Sequence, residues 1–188
     1  MNPMPTNLRQ AHGLLLGLAY GDGRYVVPTD HTVAPFWVLR ADPKIDTVTK
    51  TSPALQAIAA FNMLGPSITV KQNFSGSWDV HGLPWEGTAK SPDNPNQYTM
   101  LVAPDLRWAW KGDDVSRGFF LAGTIQGEGS HAGLLLDDPH REHLLDFQAE
   151  LAYKGIGSII VADRLVVNRP DIAKLQELPF ASYARVPV

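Results

Sequence analysis

The densest set of side chains that could do chemistry lies in one short stretch of the second half of the chain. It comprises Ser130, His131, Asp137, Asp138, His140, Glu142, His143 and Asp146. A helix is expected to begin at Pro139, and on it His140 and His143 lie three residues apart and share a face. Two histidines with a carboxylate could hold Zn²⁺ or Fe²⁺ and activate a water molecule.

A plainer interpretation of this stretch is a solvated helix start, because the helix dipole favours carboxylates in a first turn. The sequence favours that interpretation, so we expect no bound metal and no cofactor. The alternative stays open as a metal-dependent hydrolase or oxygenase whose ligands are His131, Asp138, His140 and His143.

A second set of polar side chains lies in the segment from His81 to Glu86, beside two tryptophans. His81 and Glu86 could form an acid/base pair in a pocket lined by Trp78 and Trp85. The Gly-Leu-Pro sequence between them is also typical of a turn between strands, and we favour the turn. Further along, Trp108 and Trp110 alternate with polar residues, which predicts one aromatic strand face. The predicted pocket or interface residues are therefore Trp78, His81, Trp85, Glu86, Trp108 and Trp110.

Glycine-rich segments occur at Gly21-Asp22-Gly23 and from Gly123 to Gly129. Neither matches a phosphate-binding loop, so both are interpreted as turns. No Gly-x-Ser-x-Gly nucleophile motif is present, and we identify no internal repeat. The sequence thus predicts no catalytic set.

Composition narrows the classes of function. The 188 residues carry a formal charge of −3, with 44% hydrophobic residues and no cysteine. The lack of cysteine excludes disulfide scaffolds, thiolate metal sites and cysteine catalysis. No basic run is present, so we expect no general nucleic-acid binding, although a local basic patch stays open. The apolar runs are too short to span a membrane, and without a secretory signal we expect synthesis in the cytoplasm.

The pattern of elements predicts one α+β domain over residues 1–188. Helices are expected after Thr6 or Asn7 and after Ser52, and short β-type runs fill about residues 67–136. These runs predict a central antiparallel sheet or a small β-barrel, flanked by the N-terminal helices. A C-terminal segment of helix, hairpin, helix and strand should follow, with the hairpin turning at Asp163.

One segment resembles a known family of barrels. Phe74-Ser-Gly-Ser-Trp78 is similar to the Phe-x-Gly-x-Trp segment of fatty-acid-binding and lipocalin-type proteins. This resemblance implies a small β-barrel around a ligand. It supports the alternative of a small-molecule-binding barrel or barrel enzyme.

The features together favour a non-enzymatic structural or assembly subunit of a larger particle, such as a phage or virion structural protein. Low charge, abundant turns and proline-rich ends suit a chain that is covered by neighbouring subunits. We therefore expect an oligomer whose partners are protein subunits, contacted through residues 1–7 and 179–188, with a virion as one destination.

Overall fold

The structure is a computed structural model that describes residues 4–43, 52–89, 97–101, 103–128 and 134–177. Helices in these ranges are α1 Leu8–Asp22, α2 Pro53–Leu64, α3 Ala103–Trp110, α4 Asp114–Glu128, α5 Arg141–Tyr153 and α6 Ile172–Glu177. Strands are β1 Arg24–Val26, β2 Phe36–Leu39, β3 Thr69–Gln72, β4 Trp78–His81, β5 Gly87–Ala89, β6 Gln97–Leu101, β7 Leu134–Asp137, β8 Ser158–Val161 and β9 Arg164–Val167. The predicted C-terminal strand and the outermost residues of both ends lie outside the described ranges.

The strands form two antiparallel sheets. The first has the order β3-β4-β2-β1-β6-β5, and the second has the order β7-β9-β8. The prediction of an α+β fold is confirmed. The barrel alternative is wrong, because neither sheet closes on itself.

A unit of helix, strand, helix and hairpin occurs twice along the chain. In the first repeat, residues 8–81, α1 and β1 lead to β2, α2 and the β3–β4 hairpin. In the second repeat, residues 114–167, α4 leads to β7, α5 and the β8–β9 hairpin. The hairpin's second strand lies beside the strand that precedes the helix in both sheets, β4 beside β2 and β9 beside β7. The expectation of no internal repeat is therefore wrong at the level of topology.

The second helix of the first repeat begins where the sequence predicts it, whereas α5, expected to begin at Pro139, begins two residues later at Arg141 with His140 as its N-cap. The Ser52 side chain accepts a hydrogen bond from the Leu55 amide at 3.2 Å, and Pro53 occupies the first helical position. At the start of α5, Asp138 Oδ1 accepts from the His140 amide at 2.7 Å. The hairpin predicted around Asp163 is also present as β8 and β9.

The β block predicted over residues 67–136 is interrupted by helices. The runs 106–110 and 119–126, which we interpreted as strands, belong to α3 and α4. Alternation of Leu106 with Trp108 and Trp110 misled the prediction, since Leu106 and Ala109 are the buried pair and they lie three residues apart. In α4, contact with α1 outweighs the strand propensity of its aromatic and β-branched residues.

The core fills the space between the sheets and the helices. Trp37, Leu39, Trp78 and Val80 form the buried face of the first sheet. Phe61 of α2 meets Trp78 edge to face, with ring centroids 5.8 Å apart. In the second half, Phe120 of α4 packs against Phe147 of α5 at 5.4 Å. No helix within the described ranges is long and apolar enough to cross a membrane.

Candidate functional site

Helices α1 and α4 run parallel with their backbones in direct contact. A methyl group on Gly17 would lie 2.3 Å from the Phe120 carbonyl oxygen, and one on Gly123 would lie 2.4 Å from that of Leu14. Real Cβ atoms essentially never approach so closely, so only glycine fits at these two positions. The contacts advance in the same direction along both helices, which makes the helices parallel.

The C-terminal ends of the two helices therefore lie together. A methyl group on Gly127 would lie 2.5 Å from the Asp22 amide nitrogen. Asp22 is the last residue of α1, and Glu128 is the last residue of α4. Each repeat thus places one acidic residue at the same end of the helix pair, and we call this end the acidic centre.

The acidic centre repeats a short sequence motif. The first helix ends on Gly17-x-x-x-Gly21-Asp22-Gly23, and the second carries Gly123-x-x-x-Gly127-Glu128-Gly129. Both were interpreted as turns, but in each case the acidic residue ends a helix. Aligning the two segments on their glycines would have revealed both the repeat and its acidic pair.

Electrostatics at this end of the helices favours a cation. Each helix C-terminus carries about half a negative charge from its backbone dipole. Neither α1 nor α4 has a basic residue in its last turn. Asp22, which is exposed, adds a carboxylate where a negative charge costs stability. A cation from outside the two helices would relieve this accumulation of charge.

An open cavity of about 510 Å³ borders the acidic centre. It is lined by Asp22, Arg40, Ala41, Asp42, Pro43, Ala54, Gln72, Ser75, Gly76, Trp78, Gln126 and Gly127. The exposed Arg40 supplies a positive charge beside the carboxylates. The Gln126 Oε1 atom is buried and has no hydrogen-bond partner within the described ranges, so it can accept from a water molecule or bind a cation.

The outer face of the first sheet carries a row of polar and basic residues. Strand pairing aligns Lys71 with Asp79, Asp79 with Val38, and Val38 with Arg24. Partners across antiparallel strands point to the same face, and this face is opposite the buried tryptophans. Arg24 and Lys71 are exposed and form no ion pair within the described part of the chain. This row therefore exposes two basic side chains in a chain whose overall charge is −3.

A buried polar cluster joins α1 to the start of α5. The carboxylate of Asp138 is 1% exposed. It lies 2.7 Å from His143 Nδ1 and 3.1 Å from His140 Nδ1, and it accepts a hydrogen bond from the Tyr20 hydroxyl. Burial of Asp138 would raise its pKa, but the hydrogen bonds from His143, Tyr20 and the His140 amide outweigh burial and lower the pKa below its usual value.

This cluster contains three of the four residues of the metal alternative. One ligand atom from each of Asp138, His140 and His143 lies within 4.8 Å of the others. Both carboxylate oxygens already accept hydrogen bonds from neighbouring donors, which accounts for the arrangement as a link between the segment before α5, α5 itself and α1. His131 lies outside the described residues.

The predicted pocket or interface residues do not form one site. Trp78 lines the cavity, whereas Trp85 is buried and its carbonyl accepts from Trp37 Nε1 at 3.1 Å. The His81 ring packs against Phe36 at 4.7 Å, and Glu86 is exposed. Trp108 and Trp110 lie on α3, where Trp108 carries the Arg9 guanidinium over its ring and Trp110 packs on Phe147.

Comparison with solved structures finds the same fold. One match is the homing endonuclease I-DmoI, in a study of its mesophilic variants, with a TM-score of 0.53 and 12% identity over 94% of this chain and 97% of that one. Another is I-DmoI in complex with nicked target DNA in the presence of manganese, with a TM-score of 0.56 and 14% identity over 94% and 98% of the two chains. I-DmoI in complex with DNA and manganese matches with a TM-score of 0.52 and 13% identity, over 93% and 98%. The sequence matches no protein-family model and no curated protein.

These neighbours correct two expectations from the sequence. The prediction of a non-enzymatic structural or virion subunit is contradicted, because this chain shares its fold over nearly its whole length with the homing endonuclease I-DmoI. The expectation of no general nucleic-acid binding is contradicted as well, since these structural neighbours are complexes with DNA. The second expectation depended on the formal charge of −3, which does not show where the exposed Arg24 and Lys71 lie on the first sheet.

Proposed function

We propose that this protein binds double-stranded DNA and hydrolyses its phosphodiester backbone with the help of a divalent cation. The observation that carries the proposal is the acidic centre, where two parallel helices from equivalent repeats end on Asp22 and Glu128. The shared fold of I-DmoI supports it, since that protein is a homing endonuclease found in complex with DNA and manganese. The repeats pack through α1 and α4, so we also infer that they act as one domain.

The residues around the acidic centre fit a hard divalent cation. Magnesium, manganese and calcium prefer carboxylate, amide and water oxygens. Asp22 offers a carboxylate, Gln126 offers an unpartnered amide oxygen, and Glu128 occupies the position equivalent to Asp22. A bound cation would supply positive charge to polarise a phosphate oxygen and lower the pKa of a water ligand.

The chain's own side chains supply the remaining requirements of hydrolysis. The reaction adds water across one P–O bond and leaves a hydroxyl and a phosphate at the break. The Arg40 guanidinium can hold a phosphate oxygen beside Asp22, because charge-assisted hydrogen bonds from arginine match phosphate geometry. The Gln126 carbonyl oxygen can accept a hydrogen bond from a water molecule and orient it in the cavity.

The outer face of the first sheet offers a surface for the duplex on either side of the acidic centre. Arg24 and Lys71 can contact phosphates or guanine edges, and Asp79 can accept from a cytosine amino group. A β-sheet face can enter the major groove and present alternate side chains to base edges. We therefore expect recognition of DNA on the sheet and hydrolysis at the helix ends.

Cleavage of a plasmid library with a randomised insert tests the proposal without requiring a defined target sequence. The wild-type protein should linearise a subset of plasmids in magnesium or manganese and none in excess chelator. Asp22→Asn should lower the cleavage rate at least about a hundredfold, because it removes charge where the phosphate reacts. It should leave DNA affinity in calcium close to the wild-type value.

Asp146→Asn is the matched control, since it removes an exposed carboxylate from α5, outside the cavity lining. It should cleave like the wild type. A wild-type protein that neither binds nor cuts any duplex in any of these cations would contradict the proposed function.

A further inference from the structure

The turn between β3 and β4 carries a fully exposed aromatic ring at its tip. Phe74 is the most exposed of the large apolar side chains in the described ranges. A phenyl ring in water forgoes about 1.5–3 kcal/mol of hydrophobic stabilisation that burial would give. This segment is the one that resembles the start of a ligand-binding barrel, but here it forms the turn between β3 and β4 of an open sheet.

The turn holds this ring in a defined position. Asn73 Oδ1 accepts hydrogen bonds from the Ser75 hydroxyl at 2.7 Å and from the amides of Ser75 and Ser77, each at 3.1 Å. The Asn73 amide donates to the Ser77 carbonyl at 2.8 Å. Gly76 adopts a φ of 78°, which favours glycine. The backbone beneath Phe74 is therefore ordered before any partner arrives, which lowers the entropic cost of binding.

The same turn forms one wall of the cavity at the acidic centre. Ser75 and Gly76 line this cavity together with Asp22 and Arg40. Lys71, three residues before Phe74, is exposed on β3. The hairpin that carries the apolar ring thus also carries an exposed cation, Lys71, and its turn borders a cavity that Arg40 lines.

The corresponding turn of the second repeat has no such feature. The β8–β9 hairpin turns through Ala162 and Asp163 alone, and the Asp163 carbonyl accepts from the Asp138 amide at 2.8 Å. The fold therefore does not need a five-residue turn with an aromatic tip at this position. Phe74 is a feature that the first repeat has and the second lacks.

We infer that Phe74 is an apolar wedge that enters the minor groove of the bound duplex and unstacks a base step beside the acidic centre. This inference rests on the proposed function. An exposed lysine on the same hairpin and an arginine in the bordering cavity favour a partner that carries phosphates, whereas an apolar protein surface would leave Arg40 and Lys71 without partners. Apolar side chains inserted between base steps kink DNA in this way, and flexible TA steps accept them at the lowest cost.

The test measures base unstacking and affinity with an alternating A·T duplex in which 2-aminopurine replaces some adenines, in calcium. Binding of the wild-type protein should raise 2-aminopurine fluorescence, because the probe brightens when it leaves the stack. Phe74→Ala should abolish this rise and weaken binding about tenfold. Phe74→Leu, which keeps an apolar wedge, should retain most of both effects.

Phe74→Ala should leave the dependence of affinity on salt unchanged, because the ring neutralises no phosphate. Leu8→Ala is the control, since Leu8 is an exposed apolar residue at the opposite end of α1 from Asp22. Phe74→Ala should also melt at the wild-type temperature, since the ring is fully exposed. Wild-type binding with equal affinity and fluorescence in Phe74→Ala would overturn the wedge and leave the proposed function standing. A wild-type protein without affinity for any duplex would contradict the proposed function itself.

Discussion

The two repeats share an order of elements and an acidic helix end, and they differ in how the second helix of each is attached to the centre. In the first repeat, the α2 cap is Ser52, which makes one local hydrogen bond. In the second repeat, the α5 N-cap is His140, whose amide donates to Asp138, and the Asp138 carboxylate also binds His143 and the Tyr20 hydroxyl of α1. The second repeat is therefore joined to the acidic centre by a buried polar link two residues from Asp22.

Comparison of the repeats distinguishes the features that both share from the features that only one of them has. Both repeats need glycine where α1 and α4 touch, and both end their first helix on an acidic residue. The first repeat adds a long turn that carries Phe74, and its sheet is extended beside β1 by β5 and β6, which follow the repeat in the chain. The shared features concern the chemistry at the helix ends, whereas the added ones extend the surface that meets a partner.

The largest expected effect is on the contact that the repeats share. Gly17→Ala and Gly123→Ala should each lower the free energy of unfolding by about 3 kcal/mol, because the added methyl group meets backbone atoms that cannot rotate away. Urea denaturation monitored by circular dichroism measures the change. Gly13→Ala provides a graded control, since its methyl group would lie 3.1 Å from the nearest atom. Equal losses for Gly13→Ala and Gly17→Ala would contradict direct backbone contact.

Substitutions at the start of the second helix should lower the free energy of unfolding by different amounts in the two repeats. Asp138→Ala should cost about 3 kcal/mol, because it leaves a buried histidine and a buried tyrosine hydroxyl without their acceptor. Ser52→Ala should cost about 1 kcal/mol, the usual value of a helix cap. Chemical denaturation of both variants at neutral pH checks the difference. Equal losses of unfolding free energy for the two substitutions would mean that Asp138 stabilises the protein no more than a local hydrogen bond at a helix start does.

The same polar link around Asp138 should make the free energy of unfolding depend on pH in the acidic range. The pKa of Asp138 is lower in the folded protein than in the unfolded chain, where it is about 3.9. The ionised carboxylate therefore contributes its full stabilisation above the unfolded pKa. This stabilisation is lost as the pH falls through the lower pKa of the folded protein. The stability difference between the wild type and Asp138→Asn should therefore shrink below about pH 4. Denaturation curves of both proteins from neutral to acidic pH measure this. A difference that stays constant or grows in acid would contradict the lowered pKa.

The smallest effect is expected for basic residues on the sheets. Arg24→Ala and Lys71→Ala should each weaken duplex binding by about 1 kcal/mol and reduce the slope of log affinity against log salt by about one. Arg164→Ala on the second sheet should have a smaller effect, because Arg164 already pairs with Asp137 at 3.3 Å. Fluorescence anisotropy at several salt concentrations compares them. A larger loss for Arg164→Ala would place the duplex on the second sheet instead.

Local signals in the sequence identified several elements correctly. Ser52-Pro53 predicts the start of α2, and the short β-type runs on either side of Asp163 predict the β8–β9 hairpin. These succeeded because caps and hairpins depend on neighbouring residues. The sequence did not predict α4 as a helix, because glycines such as Gly123 and Gly127 are typical of turns, and only the partner helix α1 explains their presence in a helix.

The candidate site was missed for a related reason. Asp22 and Glu128 lie in separate halves of the sequence, and the two motifs share little beyond their glycines and an acidic residue. A close helix contact requires glycine at the contact points but places no such requirement on the neighbouring residues. The two repeats therefore have little sequence similarity, although they have the same order of elements. The sequence instead suggested a metal site as one alternative for the histidine-rich stretch, in which His143 and Asp138 form a buried link to α1.

The central claim is that both repeats contribute to one acidic centre, and cleavage by single and double variants tests it most directly. The rates for Asp22→Asn, Glu128→Gln and the double variant should be measured on a plasmid that the wild-type protein cuts, in manganese. The account predicts that each single variant loses at least about a hundredfold and that the double variant loses little more, because groups that act as a unit are not additive. Full cleavage by either single variant would contradict a shared centre.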